Sequence, residues 1–199
     1  MGAGAIPIVL TFALMFVAWQ VVFSSNRDLV RAREWGELAR RLLPFAAILV
    51  MTASLPLVQG RSEPWAPYAW ALAFAVLVLV TNLLSMPLDE RRATRAFRRE
   101  NYAEVATLYR RLIEERPLAR YWAFLGAALG AAGNNEEGVN ASTKAVELDP
   151  EYGLAYYNRA LILRRLGRKS RAAKDLKRAL EADLPRRMRT AARRTLEDL

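Results

Sequence analysis

Hydrophobic and polar positions follow two different patterns along this chain, and the pattern changes near Pro87. Residues 1–87 consist of long apolar runs separated by short charged segments. From Leu88 onward, apolar positions recur at helical spacing, and similar features return about every 34 residues, as in helix-turn-helix repeats. The pattern predicts an all-α chain of two domains: a membrane anchor over residues 1–87 and a short helical solenoid over residues 88–199.

Three apolar runs in the first domain are candidate membrane spans, at residues 5–23, 42–58 and 68–86. A run of about 20 apolar residues can cross the hydrocarbon core as a helix. The second run is the shortest and contains Pro44 and Pro56 near its ends, so it either spans or forms a re-entrant or interfacial hairpin. None of the three runs contains Asp, Glu, Lys or Arg, which argues against a transport or proton-relay function.

A few polar and small residues lie within these runs. Thr52, Ser54, Thr81 and Asn82 are expected to bond to the backbone or to a neighbouring helix. The alternating residues Ala69, Ala71, Ala73 and Ala75 are expected to form a packing face, either within the helix bundle or with a partner.

Arginines beside the runs predict their orientation. Two groups of five lie between the first and second runs and after the third: Arg27, Arg31, Arg33, Arg40 and Arg41, then Arg91, Arg92, Arg95, Arg98 and Arg99. The segment between the second and third runs has a single basic residue, Arg61. Because basic loops remain in the cytoplasm, the amino terminus is expected outside and the solenoid inside. Length and arginine usage indicate a bacterial protein of the cytoplasmic membrane.

Two blocks of the second domain align when Gly133 is placed on Gly167, which lies 34 residues later. In the first block the matching positions are Trp122, Gly126, Gly133, Ala145 and Pro150; in the second they are Tyr156, Ala160, Gly167, Ala172 and Ala179. This pattern resembles the tetratricopeptide repeat (TPR) family. The resemblance implies a helix-turn-helix solenoid that binds proteins, with repeats at about 119–150 and 153–185. Gly138 and Ser142 depart from the family pattern and predict a loosely packed second helix.

Weaker features extend the solenoid in both directions. A degenerate repeat is expected at about 88–117, with Arg92 and Arg95 among the inward positions of its first helix and Pro87 as a kink continuing the third span. After Pro185, Met188, Ala191, Ala192, Thr195 and Leu196 recur at helical spacing, which predicts a capping helix over residues 186–199.

The resemblance also implies a binding groove lined by the first helix of each repeat. The predicted lining residues are Arg120, Phe124, Ala127, Tyr157, Asn158, Leu161, Arg164 and Arg165, with Ala123, Ala131 and Leu154 beside them. This apolar floor with arginines at one end fits a peptide carrying acidic residues or a free carboxylate. In the alternative interpretation, Phe124 and Tyr157 pack against a neighbouring helix and the arginines are solvated.

The net charge of +10 is concentrated in the second domain, which has 24 basic and 16 acidic residues against 6 and 4 up to Pro87. The densest basic tract runs from Arg159 to Arg178. It is interpreted as a solvated helix face or as a contact for anionic lipid; nucleic acid is the weaker alternative because no recognition element accompanies the charge.

Composition and motifs argue against an enzyme. The chain contains no Cys and no His, which removes the usual zinc and haem ligands and excludes catalysis by Cys or His. The adjacent pairs Glu114–Glu115 and Glu136–Glu137 point about 100° apart on a helix, so neither pair suits shared acid–base chemistry. No cofactor or metal is expected.

The sequence therefore predicts a membrane-tethered adaptor or scaffold with protein partners at the cytoplasmic membrane face. The alternative function is an accessory or assembly subunit of a larger membrane complex, which would contact its partners mainly through the transmembrane helices.

Overall fold

The computed structural model describes Phe16, Gln20 and residues 22–59 and 63–199, apart from the side chains of residues 57 and 59. The predicted first span, 5–23, and Arg61 therefore lie almost wholly outside the described residues. Helices and turns account for the described part of the chain, where no strand occurs. The chain divides into two compact units, Met1–Pro87 and Leu88–Leu199, which are described separately.

The arginine-rich segment expected to be a loop between the first two runs is helical instead. It forms the short helix α1 (Arg27–Arg31) and the beginning of α2 (Trp35–Gln59). Arg33 joins them in the left-handed region with φ 56°. Glu37 is fully buried in the first turn of α2 and lies 3.4 Å from Arg40 and 3.5 Å from Arg41. These charges pair at helical spacing, which favours a helix over a free loop at the beginning of α2.

Two described helices, Trp35–Pro56 within α2 and α3 (Ala66–Leu84), are long and apolar enough to cross a membrane by length and composition. Both prolines of the second run lie inside α2. Of the most apolar 18-residue stretch of each helix, 11% is buried within the chain in α2 and none is buried in α3. The outward side chains of α3 include Leu72 and Leu79, which are 67% and 59% exposed.

Polar side chains contribute to the packing of α2 against α3. Trp70 Nε1 donates a 3.0 Å hydrogen bond to Ser54 Oγ, and the Trp70 ring stacks on Phe74. Thr52 and Thr81 donate to backbone carbonyls one turn earlier, as expected for hydroxyls in apolar helices. Ala69, Ala71, Ala73 and Ala75 are all exposed, so the predicted packing face meets no other helix that the structure describes, and its contact with a partner stays a prediction.

The second unit consists of three helix pairs and a final helix. The helices are α4 (Leu88–Arg98) with α5 (Tyr102–Glu115), α6 (Ala119–Ala131) with α7 (Asn135–Leu148), α8 (Gly153–Arg165) with α9 (Lys169–Glu181), and α10 (Arg186–Glu197). The turn inside each pair contains one residue in the left-handed region: Glu100 (φ 58°), Gly133 (φ 88°) and Gly167 (φ 72°). These residues are 33 and 34 positions apart, so α4–α5 has the turn geometry of the two pairs that follow.

The first helix pair differs from its prediction in two respects. Arg92 and Arg95 are exposed, and the inward side of α4 is instead formed by Ala93 and Ala96, which are 0% and 3% exposed. The small residues allow α4 to approach α5 closely while the arginines reach solvent. Pro87 is not a kink in a continuous helix, because α3 ends at Leu84 and α4 begins at Leu88.

Glu100 is a non-glycine residue in a conformation that glycine adopts at the other two turns. A β-carbon in the left-handed region carries a steric cost that glycine avoids. We expect Glu100→Gly to stabilise the α4–α5 pair by about 0.5 to 1 kcal/mol, even after allowing for the greater entropy of the unfolded glycine chain. Amide hydrogen exchange of α5 in the full chain should slow accordingly; Gly133→Ala should speed exchange in α7, and faster exchange in Glu100→Gly would contradict the interpretation.

The second helix of the central pair, α7, is tightly packed, contrary to the prediction. A β-carbon at Gly126 would lie 3.0 Å from the Gly138 carbonyl oxygen, and one at Gly138 would lie 2.9 Å from the Ile162 side chain. Ser142 is fully buried between the helices. The two departures from the family pattern are therefore complementary: a small Gly138 and a small Ser142 allow α7 to approach the glycine face of α6.

The last helix covers the end of the solenoid. Met188 and Leu196 pack on a core that includes Ala192 and Leu176, whereas Ala191 is exposed. Arg189 donates hydrogen bonds of 2.9–3.1 Å to the carbonyls of Leu180, Ala182 and Leu184. These carbonyls lie at the end of α9 and just beyond it, where no further helical turn can satisfy them. Arg189 thereby fixes α10 to the preceding helix.

Candidate protein-binding groove

The first helices of the two central pairs lie on the inner side of the solenoid. Helix α6 packs directly against α8, whereas the second helices α7 and α9 make almost no direct contact. Because stacked pairs diverge on their outer side, the inner surface is formed by α6 and α8. This surface contains the residues predicted to line the groove.

Arg120 does not line an open surface. The residue is 5% exposed in the first turn of α6, and its charge acts on the buried Tyr109 phenol. The prediction that Arg120 meets a ligand is therefore wrong. Ala123 and Leu154, predicted beside it, are also buried at 0% and 7% exposure.

The two predicted aromatic residues take part in helix packing. Phe124 is half-buried and stacks on Tyr109 of α5, with the ring centroids 5.4 Å apart and an interplanar angle of 14°. Tyr157 is half-buried against the core formed by Tyr156 and Leu163. Both rings keep part of their surface open, so they form the sides of the groove rather than freely mobile contacts.

The phenol of Tyr109, which stacks on Phe124, makes the stability of the domain depend on pH. Burial, assisted by the negative charge of Glu90, raises the pKa of Tyr109 above its ordinary value of 10.0. Since the unfolded phenol ionises near pH 10 and the folded one does not, the stabilisation is complete below that pH and falls as the pH rises above it.

We expect Tyr109→Phe to remove this loss of stability at alkaline pH. In the native protein the loss approaches about 1.4 kcal/mol per pH unit above pH 10. Urea unfolding of the full chain in detergent, followed from about pH 9 to about pH 11, measures the difference between native protein and variant. Parallel pH profiles for the two proteins would contradict the assignment.

Asn158 and Arg165 hold α8 against α6. Asn158 Nδ2 donates a 3.0 Å hydrogen bond to the Ala123 carbonyl, and Arg165 Nη1 donates a 2.6 Å bond to the Gly130 carbonyl. Each bond crosses from one repeat to the next. One donor of each of these two predicted site residues is thus engaged in fixing the groove's shape, while the rest of the Arg165 side chain is exposed.

The open part of the groove is an apolar strip that ends at a cation. Phe124, Ala127 and Leu161 are half-buried, and Arg164 is exposed in the last turn of α8. The Arg164 side chain forms no ion pair or hydrogen bond with any residue that the structure describes. The groove therefore combines apolar contact area with a guanidinium available to an anionic group.

The basic tract from Arg159 to Arg178 separates into paired and unpaired cations. Arg159 binds Asp175 through two bonds, Nε to Oδ2 at 2.7 Å and Nη2 to Oδ1 at 2.8 Å, and also donates to Thr143. The bonds to Asp175 raise the pKa of Arg159 above its ordinary value. The Arg159 guanidinium also lies 5.6 Å from the centre of the Tyr156 ring.

Other cations of the tract have partners as well. Arg168 pairs with Glu136, Arg178 pairs with Glu151, and Lys169 donates to the Leu199 carbonyl oxygen. Sequence reasoning missed Asp175, although one signal pointed to it: this acid shares the inward face of a basic helix with Ala172, Leu176 and Ala179.

Comparison with known proteins identifies the repeats. The tetratricopeptide repeat family matches residues 119–152 and 154–185. The TPR repeat-containing thioredoxin TTL4 of Arabidopsis thaliana is 38% identical over 81 residues, which cover 40% of this chain and 12% of that protein. The crystal structure of the Sgt2 TPR domain from Aspergillus fumigatus aligns with a TM-score of 0.48 at 20% identity, covering 57% of this chain and 82% of that one.

The chain thus contains tetratricopeptide repeats, as the glycine and proline spacing indicated. This repeat is a non-catalytic, protein-interaction fold. The match spans only 12% of the curated relative's length, so that protein's own activity carries no conclusion for this chain.

Proposed function

We propose that this protein is a membrane-tethered adaptor that holds a protein-binding repeat domain at the cytoplasmic face of a bacterial membrane. Support for the tether comes from α2 and α3, whose apolar side chains are largely uncovered by the rest of the described chain. Leaving so much apolar surface in water is unfavourable, and lipid would cover it. Support for the adaptor comes from the interaction fold of the repeats.

The proposed orientation rests on the two arginine-rich flanks. One group lies from Arg27 to Arg41, before α2 and in its first turns, and the other lies from Arg91 to Arg99, after α3. The positive-inside rule favours the cytoplasm for both flanks and hence for the repeats. A reporter fused after Leu199 tests the orientation: cytoplasmic reporter activity is expected, and activity outside the membrane would contradict it. Extraction of the protein from membranes by alkaline carbonate would contradict the tether.

The observation that carries the binding proposal is the unpaired Arg164 at the end of the apolar strip. An extended or helical peptide would place apolar side chains on Ala127 and Leu161. Its acidic residue or terminal carboxylate would accept two parallel hydrogen bonds from the Arg164 guanidinium. Tyr157 and Phe124 would enclose the peptide from the sides.

We expect Arg164→Glu to weaken partner binding at least about tenfold, because a charge-assisted bond is lost and a like charge faces the ligand. Crosslinking in membranes followed by mass spectrometry measures partner recovery. The matched control is Arg111→Glu on α5, which changes an exposed arginine of the same domain outside the groove. Equal recovery by native protein and Arg164→Glu would contradict an acidic ligand at this site.

The alternative function, an accessory or assembly subunit of a membrane complex, is favoured by one observation. The outward face of α3 presents Leu72, Val76, Leu79 and Leu83 at exposures of 49–67%. This face could meet another transmembrane helix instead of lipid. A partner that survives Arg164→Glu but is lost on Val76→Arg would support the subunit function and count against the adaptor.

A further inference from the structure

Nearly all of the net charge is carried by the last part of the chain. Residues 159–199 contain 14 of the 30 basic residues and 5 of the 20 acidic ones, an excess of 9 out of the net +10. Two of the five acids are already neutralised: Asp175 by Arg159, and Glu181 by Arg178 at 3.7 Å. Residues 166–199, which form α9, α10 and their turns, hold 11 of these basic residues and all five acids, so six of the nine excess charges lie there.

The outer side of α9 differs from the outer sides of the other two second helices. On α5 and α7 exposed charges of both signs occur and pair, as Arg110 does with Glu137 at 3.3 Å and Lys144 with Glu147 at 3.0 Å. On α9, Arg178 pairs with Glu181 in the last turn, but the exposed side chains of Arg171, Lys174 and Lys177 form no ion pair or hydrogen bond within the part of the chain that the structure describes. We call these three residues the α9 cationic face.

Helix α10, which packs on α9, adds more unpaired charge. Arg186, Arg187, Arg193 and Arg194 are exposed and likewise have no side-chain partner among the described residues. The apolar side of α10 is already occupied by the solenoid core, so this helix has only its basic side to offer a partner. Like charges held this close repel one another, and the repulsion is relieved when an anionic surface covers them.

We propose that the α9 cationic face binds anionic phospholipid headgroups of the membrane that anchors the chain. This inference rests on the proposed tether, because tethering keeps the domain at a high effective concentration beside the bilayer. Each basic residue near an anionic membrane raises affinity about fivefold, so three act together on the order of a hundredfold. The contact would hold the repeat domain against the bilayer at its C-terminal end and leave the α6–α8 groove open to a partner.

The test uses the absence of native cysteine. The full chain carrying Ser170→Cys on α9 is labelled with a fluorophore and placed in nanodiscs containing headgroup-spin-labelled lipid. Quenching should be several-fold stronger with phosphatidylglycerol than with phosphatidylcholine alone, and should decline with added salt. The same label at Asn140 on the outer side of α7 is the positional control and should show no such dependence.

Removing the charges supplies the decisive comparison. Arg171→Gln, Lys174→Gln and Lys177→Gln together should abolish the phosphatidylglycerol dependence, whereas Lys144→Gln on α7 should not. Equal quenching in the two lipids, or a lipid dependence that survives the triple variant, would overturn the inference. Binding of an RNA oligonucleotide that depends on the three residues, without any lipid dependence, would assign the face to nucleic acid and also overturn it.

Failure of the tether is distinguishable from failure of this inference. A chain that enters nanodiscs but shows no lipid dependence retains its tether and loses the lipid contact. If the chain does not enter nanodiscs, the tether fails, and flotation with vesicles decides the lipid contact alone. Flotation with phosphatidylglycerol vesicles but not phosphatidylcholine vesicles would support the contact, and equal flotation with both would overturn it.

Discussion

Gly153→Ala is expected to destabilise the last repeat by about 3 kcal/mol, the upper end of the usual cost of overpacking. An added β-carbon would lie 2.5 Å from the Leu184 backbone nitrogen, 2.9 Å from its Cα and 3.0 Å from the Ala179 carbonyl oxygen. All three atoms are backbone, so no side-chain rotation relieves the clash. The Gly153 amide also donates a 3.1 Å bond to Asp183, which the displaced chain would lose.

Hydrogen exchange of the full chain measures this effect and locates it. Amides of α8, α9 and α10 should exchange faster in Gly153→Ala, while those of α4 and α5 should change less. Gly36→Ala is the matched control: a β-carbon there meets no atom within 4 Å, and alanine favours a helix, so no loss is expected. Native-like exchange throughout α8–α10 in Gly153→Ala would show that the close approach of Leu184 is not required.

Asp175→Ala is expected to cost a similar amount, about 3 kcal/mol, because it leaves a largely buried cation without its partner. The side chains of Arg159 and Asp175 are 17% and 10% exposed, and two bonds join them. The Arg159 guanidinium would retain only its bond to Thr143 and its contact with the Tyr156 ring. Unfolding in urea, compared with the native protein, gives the change in free energy.

Two controls separate the buried pair from ordinary surface charge. Glu147→Ala breaks the exposed pair with Lys144 and should cost less than about 1 kcal/mol. Replacing both buried partners, as Arg159→Met with Asp175→Leu, should recover most of the stability lost in Asp175→Ala. If Asp175→Ala cost no more than Glu147→Ala, the pair would be no stronger than a surface contact.

The repeats were predictable because their signals are local. A left-handed turn between short helices requires glycine or tolerates very few other residues, so Gly133 and Gly167 mark both the turns and the period. Small residues at Gly126 and Ala160 then mark where helices cross closely. Both signals can be recognised in a single sequence, and the tetratricopeptide assignment that they supported is confirmed.

The first helix pair was harder to read because its turn residue is Glu100 rather than glycine. Without that marker the inward positions of α4 were assigned to Arg92 and Arg95, whereas the helix turns Ala93 and Ala96 inward. A shift of one residue moves a helical side chain by about 100°, which is enough to exchange the buried and exposed faces. Packing against α5, rather than local sequence, decides this orientation.

The candidate groove was predicted only in outline, because side chains compete for the same partners across repeats. Arg120, Asn158 and Arg165 all have polar groups suited to a ligand, yet burial removes the first and backbone carbonyls 35 residues away engage the other two. Bonds over that separation depend on how the pairs stack and leave no mark in composition or spacing. The same stacking left Arg164 unpaired at the end of the strip.

One measurement tests the adaptor most directly: site-specific photocrosslinking from Ala127 in the groove of the full membrane-bound chain. Asn140, exposed on the outer side of α7, is the matched control position. The account predicts a protein partner crosslinked from Ala127, absent from Asn140, and lost when Arg164→Glu is added. A partner captured equally from both positions would contradict recognition through this groove, and one from Ala127 that persists with Arg164→Glu would contradict the acidic contact at Arg164.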